Sequence, residues 1–329
     1  MLGAALRSVA QKGADLARQL ADDATSAVSS VPMGQYAGYK FQRDFKMGLQ
    51  TGTAGPHGLW RIFAGTARSP TAITKDVSIW VLDKRELANR GNDNVSLQGG
   101  GPSVLFPPQQ LQRWETVLEQ QRHGCALMTR LKHPGVVRVV LPLEETAAHM
   151  VLVTEAVRGC LREQLQPPPD SAASPFPPSP SPPPPLCALE SKLGLLALAE
   201  VLAFLHGSAA LAHCGVAPQS VMVAADGSWK LAGFSFAVPL GSGASAGGAS
   251  CPPFSYSDPF PPPWEELAKP QLPYTAPELV VPPGGSSWSP APAPSWAAAD
   301  SFSLGALAFE LALAVEAAAG SVGGAVEGA

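Results

Sequence analysis

Charge is scarce in this chain. Only 15% of its residues are Asp, Glu, Lys or Arg, against about a quarter in an ordinary globular protein. The 26 acidic and 22 basic residues leave a formal net charge of −4. That balance excludes nucleic acid, and equally an anionic membrane, as the main electrostatic partner. Cysteine is also sparse. Cys125, Cys160, Cys187, Cys214 and Cys251 are scattered, odd in number and form no CxxC pair. This excludes a disulfide framework and a zinc site, and leaves reduced thiols and no metal. No uninterrupted apolar run reaches the ~18–20 residues of a membrane span. The N-terminal MLGAALRSVAQKGADLARQL has no unbroken apolar core, so it is not a secretory signal.

What remains is still enough for a core: 46% of the residues are hydrophobic. In the N-terminal segment Leu2, Leu6, Val9, Leu16 and Leu20 recur at helical spacing, which predicts an amphipathic docking helix. Asp15, Asp22 and Asp23 oppose the acid-poor composition of a transit peptide. Residues 36–84 read as strands, with GPHG (55–58) as a turn and the β-branched ITKDVSIWVL (73–82) after it. A helix is predicted over 109–132, followed by strands VVRVVLPLEE (136–145) and HMVLVTEAV (149–157). Residues 167–185, PPPDSAASPFPPSPSPPPP, hold 11 prolines and read as an extended spacer. Beyond it KLGLLALAEVLAFLH (192–206) is an apolar helix, and Asp226-Gly227 is a hairpin signal. Residues 239–273 and 281–295 are again rich in Pro, Gly and Ser. Residues 297–319 form a last apolar helix. Strands first and helices later predict an α+β architecture with a small β lobe leading.

Several short stretches carry a shared pattern. They are TAGPHGLW (53–60), VSIW (77–80), LKHP (131–134), HCGVAPQS (213–220), GFS (233–235), YTAPE (274–278) and DSFSLG (300–305). Their order resembles that of a protein kinase domain from its glycine loop to its F helix, over roughly residues 40–318. Kinases carry phosphoryl transfer on a few charged side chains. Here Gly55 and Gly58 stand, but Thr53 replaces the first loop glycine, and Trp60 lies where a small residue touches adenine. The lysine of the third strand is Trp80. Lys84, four residues on and ~13 Å along a strand, is too far to replace it. The partner glutamate, ten residues before Pro134, is Gly124. The catalytic aspartate is Gly215, its companion lysine Ala217 and the metal-binding asparagine Ser220. The metal-binding aspartate is Gly233. Glycine accepts no proton and holds no Mg²⁺. His213 and Phe234, which join the lobes, remain, as do Glu278 of the A-P-E sequence and Asp300 of the F helix.

The chain most resembles the Scy-like pseudokinases, in their coated-vesicle-associated branch. The resemblance lies in DATSAV (23–28), GLWRIFAGTARS (58–69), VSIWVLDKREL (77–87), RHGCALMTRLKHPGVVRVVLPLEE (122–145) and GSWKLAGFSF (227–236). It implies a bilobal fold. Residues 1–34 are a helix and linker, 35–157 the β-rich lobe, 158–319 a helical lobe truncated after the F helix, and 320–329 a tail. It implies a vestigial nucleotide cleft lined by Gly55, Gly58, Trp60, Ser78, Trp80, Glu155 and Val157. There the hinge meets adenine through backbone groups, and Glu155 itself is a solvated strand-end charge. The function implied is a noncatalytic adaptor in clathrin-dependent traffic between trans-Golgi and endosomes. Such an adaptor is cytoplasmic, peripheral to those vesicles, without cofactor or Mg²⁺. Clathrin and adaptor contacts lie in family regions beyond this sequence. The F helix, apolar nearly all round, awaits burial, so a shortened product with an exposed, self-associating patch is expected. The alternatives are a divergent kinase that binds ATP weakly, and a truncated product with no function of its own.

Overall fold

The computed structural model describes residues 36, 38–69, 74–90, 108–165, 186–240, 254, 256, 267–280 and 296–323. The amphipathic segment predicted over 1–34, the spacer 167–185, the stretch 281–295 and the end of the tail lie outside them. The described residues up to Arg43 belong to one unit and the described residues from Asp44 to another. In the first, Tyr39 stacks its ring near both Tyr36 (6.2 Å) and Phe41 (6.1 Å). A single helical turn, α1 (Phe41–Asp44), leads into the second.

The second unit opens with an antiparallel five-stranded sheet of order β1-β2-β3-β5-β4. Its strands are β1 (Phe45–Ala54), β2 (Trp60–Ala67), β3 (Asp76–Asp83), β4 (Val139–Glu145) and β5 (His149–Glu155). β3 and β5 are central and buried on both faces, as runs rich in Val, Ile and Leu require. Their register pairs Trp80 with Leu152 and Ser78 with Thr154. Between β3 and β4 lie α2 (Lys84–Arg90) and the long α3 (Pro108–Arg130).

The stretch read as one strand over 149–157 is two. The chain leaves the five-stranded sheet at Glu155 and enters β6 (Val157–Cys160) of another. That second sheet has order β6-β8-β9, with β8 (Val221–Ala224) and β9 (Trp229–Leu231). The Asp-Gly signal between them is a turn in the structure. Gly227 has φ 87°, and Asp226 accepts from the Ser228 amide at 2.9 Å. Helices α4 (Leu161–Leu165), α5 (Ala188–Gly207) and α6 (Trp296–Gly323) complete the α+β fold, with a small pair β7 (Leu211–Ala212) and β10 (Val238–Pro239). Within the stretch 239–273, Phe254, Leu267 and Ala268 are buried in the core.

One sequence expectation is corrected by α6. Its Trp296–Ala317 stretch, 22 residues, is long and apolar enough to cross a membrane. Asp300, Glu310, Glu316 and two serines interrupt any apolar run there without cancelling the average. Length and composition do not make it a span, because Asp300 is fully buried against the loop after β7.

Helix α5 lies close on β9. A Cβ added at Gly194 would sit 2.2 Å from the buried Trp229 ring. Gly194→Ala gains helix propensity, about 1 kcal/mol, yet overpacks this contact by about 1–3 kcal/mol. A net destabilisation is expected in urea denaturation; an unchanged or raised midpoint would contradict so close an approach.

Candidate functional site

The cleft between the two sheets is closed by internal hydrogen bonds. The turn 55–58 folds back tightly, with left-handed φ at Gly55 (73°), His57 (50°) and Gly58 (65°). The Gly55 amide donates to the Gln219 carbonyl at 3.3 Å, so the turn is tied to the loop below it. Trp60 and Trp80 fill the space behind. Both are buried, their rings 6.5 Å apart and edge to face. Neither indole N–H is left unpaired. Trp60 donates to Gln121 Oε1 and Trp80 to Thr154 Oγ1, each at 2.9 Å.

The hinge backbone is occupied too. Ser78, 1% exposed, accepts from the Val157 amide at 2.9 Å and donates to the Val157 carbonyl at 3.3 Å. The Val157 amide, whose single N–H would meet a purine edge, is therefore spent on a strand of the same domain, and its carbonyl is engaged at one of its two lone pairs. Glu155 is not the solvated charge expected from its place at a strand end. Its carboxylate accepts from Lys230 Nζ (2.8 Å) and the Arg138 amide (2.9 Å), because β9 and the 134–138 loop pack beside the hinge.

The residues at the erased charged positions have structural contacts. A Cβ at Gly124 would lie 2.8 Å from the Ser235 amide, so α3 rests directly on the 233–235 loop. Ser220 turns its hydroxyl onto its own loop, bonding the Ala217 amide (3.0 Å) and carbonyl (2.9 Å). Gly233 is left-handed, φ 74°. A Cβ at Gly215 would lie 3.1 Å from Phe236. Lys84 bonds Glu145 and the Thr146 carbonyl (2.8 Å), not the cleft.

His213 and Phe234 stack edge to face at 4.7 Å. The His213 ring is wholly buried; Nε2 faces the Ala232 carbonyl at 2.9 Å and Nδ1 accepts from the Gly215 amide at 3.2 Å. That pattern fixes the neutral Nε2–H tautomer, and burial pushes the pKa down. Asp300 accepts from the His213 and Cys214 amides, each at 2.7 Å, and meets His206 Nε2 at 2.8 Å. Glu278 is exposed.

Two cavities beside the cleft, among the described residues, each have about 20 Å³ for the centres of water molecules. That admits a water or two, whereas small-molecule sites run to ~300–1,000 Å³. No carboxylate lines either one. Among the described residues no three His, Cys, Asp or Glu side chains converge as a metal site.

Sequence reasoning missed Gln121 and Glu163. Gln121 lies one helical turn before Gly124 on the same face, and also accepts from Ser235 Oγ at 3.2 Å. Helical spacing could have found it. Glu163 leaves no such signal, since its partner is 110 residues away. Its carboxylate accepts from the Thr53 amide (2.6 Å) and hydroxyl (2.9 Å) and, more loosely, from the Cys160 amide (3.3 Å). Gly52 and Gly159 make room for it: a Cβ there would lie 2.7 and 2.4 Å from Glu163 Oε2. It clasps β1 to α4 across the mouth of the cleft.

A five-stranded antiparallel sheet with one long helix, a linker into a helical part, and these landmark loops define a protein-kinase-like domain. No family model matches the chain. It is 28% identical to human SCY1-like protein 2 over 264 residues, 79% of this chain and 24% of that protein. It is 31% identical to the protein kinase domain-containing protein ppk32 of Schizosaccharomyces pombe over 185 residues, 54% of this chain and 22% of that one. It is 27% identical to the protein kinase-like protein SCY1 of Saccharomyces cerevisiae over 225 residues, 67% of this chain and 26% of that one. These similarities support the Scy-like family. The chain spans about a quarter of the length of these curated relatives.

Burial raises the Glu163 pKa above the usual glutamate value near 4.5, against the pull of its Thr53 bonds. The folded state then holds this proton more tightly than the unfolded chain. Its contribution is present at low pH and lost as pH rises through the folded pKa. Glu163→Gln should remove that component of the pH dependence. Urea titrations of both proteins between about pH 4.5 and 7.5 would show it; parallel curves would rule the titration out.

Proposed function

We propose that this chain is a catalytically inactive, kinase-like scaffold acting in clathrin-dependent vesicle traffic between trans-Golgi and endosomes. It works in the cytoplasm, peripheral to those membranes, without nucleotide or Mg²⁺. One observation carries the inactivity: the Val157 amide and carbonyl are both bonded to Ser78. The missing carboxylates at Gly215 and Gly233 support it, since in-line phosphoryl transfer needs a base and a metal clamp. The traffic role rests on the likeness to SCY1-like proteins and on the segments quoted above. Coat and adaptor contacts are assigned to family regions outside this sequence.

Melting the protein with and without millimolar Mg·ATP tests the first part. Binding with a millimolar Kd at equal ligand adds only about 0.4 kcal/mol, or ~1 °C for a domain of this size. A shift no larger is expected; a clear Mg-dependent rise of several degrees would establish a working nucleotide site. Reinstalling chemistry goes further. The triple change Trp80→Lys, Gly215→Asp, Gly233→Asp should still give no phosphoryl transfer, because Ser78 holds the hinge and Phe236 crowds position 215. Detectable autophosphorylation would show that only the charged groups were lacking. For the traffic role, the immobilised chain should retain neither clathrin nor adaptor subunits from cytosol, and a SCY1-like protein of full length should retain both. Capture by the chain alone would move those contacts into the kinase-like region.

A further inference from the structure

The cavity beside the turn 55–58 has an apolar wall that includes Trp60, Trp80, Met128 and Leu152. Two amide side chains break that wall, Gln121 from α3 and Gln219 from the loop before β8. Both are buried, at 3% and 7% exposure. Each brings inside one polar atom that is shut off from solvent and has no hydrogen-bond partner among the described residues. These are Nε2 of Gln121, a donor, and Oε1 of Gln219, an acceptor. Native domains rarely leave such groups unsatisfied, because the hydration lost on burial is not returned. Here a donor and an acceptor stand in the wall of one cavity with no direct bond between them.

The Gln121 amide cannot be turned over to relieve this. Its Oε1 accepts from Trp60 Nε1 at 2.9 Å and from Ser235 Oγ at 3.2 Å. An indole N–H only donates, so a reversed amide would set two donors face to face. The two glutamines also flank positions where the kinase pattern lacks its charges: Gln121 is one turn before Gly124, and Gln219 immediately precedes Ser220. An occupant of the cavity has to satisfy a neutral donor and a neutral acceptor at once. A cation is opposed by the Nε2 hydrogens and an anion by the Oε1 lone pairs, and no charged side chain lines the cavity to offset either. With about 20 Å³ for the centres of water molecules, the space exceeds the ~10–15 Å³ that one water needs. It falls far below a small-molecule site.

We propose that this cavity is a binding site for one ordered water, which accepts from Gln121 Nε2 and donates to Gln219 Oε1. Ser235 lines the same cavity and offers its hydroxyl oxygen as a third partner; a buried water is held by two to four such groups. The water joins α3 to the loop before β8. Gln219 already accepts from the Gly55 amide through its carbonyl, and Gln121 accepts from Trp60. Turn, loop, water, helix and indole then form one hydrogen-bonded chain. Because Trp60 follows the turn 55–58 by two residues, that chain closes on itself. The inference rests on the walls of the cavity and not on the scaffold role, so neither the Mg·ATP melts nor the clathrin capture bears on it.

Magnetic resonance of the 329-residue chain, isotope-labelled at the glutamine and tryptophan side chains, is the test. The Gln121 Nε2 hydrogens should show cross-relaxation with a water that tumbles with the protein. Gln219→Met keeps the length of the side chain and supplies only a weak sulfur acceptor. It should abolish that signal, while the Trp60 indole N–H, still bonded to Gln121, keeps its resonance position. Urea denaturation gives the sign independently. If Gln219 Oε1 holds the water, Gln219→Met lowers the midpoint; if the atom has no partner at all, the same change relieves it and the midpoint rises or stays. A crystal structure that resolves ordered waters should place one within ~2.7–3.2 Å of both amide atoms. That result and the wild-type signal decide the matter even where the variant does not fold. A Gln121 amide without any water contact would overturn the proposal. So would a signal that survives Gln219→Met undiminished, a raised or unchanged midpoint, or a crystal structure in which the two amides bond each other directly or an ion fills the cavity.

Discussion

A carboxylate with no exposure to solvent organises the lower half of the cleft. Asp300 accepts hydrogen bonds from two successive backbone amides, His213 and Cys214, and from the His206 ring. An unpaired charge at that depth would not be tolerated, so the three donors and the acceptor must be in place together. Their demands reach into the backbone: Cys214 is held at φ 55°, a region non-glycine residues avoid. From this anchor the arrangement propagates. His213 is fixed, its ring meets Phe234, and the loop after β9 is set at the height where α3 rests on it. The burial of Trp60 follows, because its partner Gln121 also bonds Ser235.

The cleft above that anchor is closed with polar groups as much as with apolar ones. Two indoles supply the bulk, but each polar group they bring inside meets a specific acceptor. Ser78 satisfies the hinge, Gln219 the turn and Glu163 the edge of β1. Filling a site with apolar side chains alone would have left these backbone groups unsatisfied, at about 1–3 kcal/mol each. The uncharged residues at positions 80, 124, 215 and 233 and the internal pairing around them thus belong to one arrangement.

Much of this was legible in the sequence, and the reasons are local. The landmark order, the two tryptophans and the glycines at 124, 215 and 233 are read residue by residue. The turn at Asp226-Gly227 is written in two residues. Interactions over long separations were not legible. Nothing about Ser78 names Val157, or about Glu163 names Thr53. Glu155 looked like a surface charge because its partner, Lys230, arrives on a strand far along the chain. The break between β5 and β6 was hidden for a similar reason: apolar periodicity does not say when a strand changes sheets. The apolar character of α6 was diluted by serines and by an aspartate whose burial only the fold reveals.

The approach of α3 at Gly124 has a consequence for signalling. There is no space for even one methyl between this helix and the loop carrying Phe234. A regulatory element must have two arrangements close in free energy for a ligand or partner to favour one. Here a displacement of the helix alone breaks the Trp60–Gln121–Ser235 chain and opens an apolar gap at once. A shift of α3 at this point therefore has to carry the Phe234 loop with it, or give up the hydrogen bonds that Gln121 makes to Trp60 and Ser235.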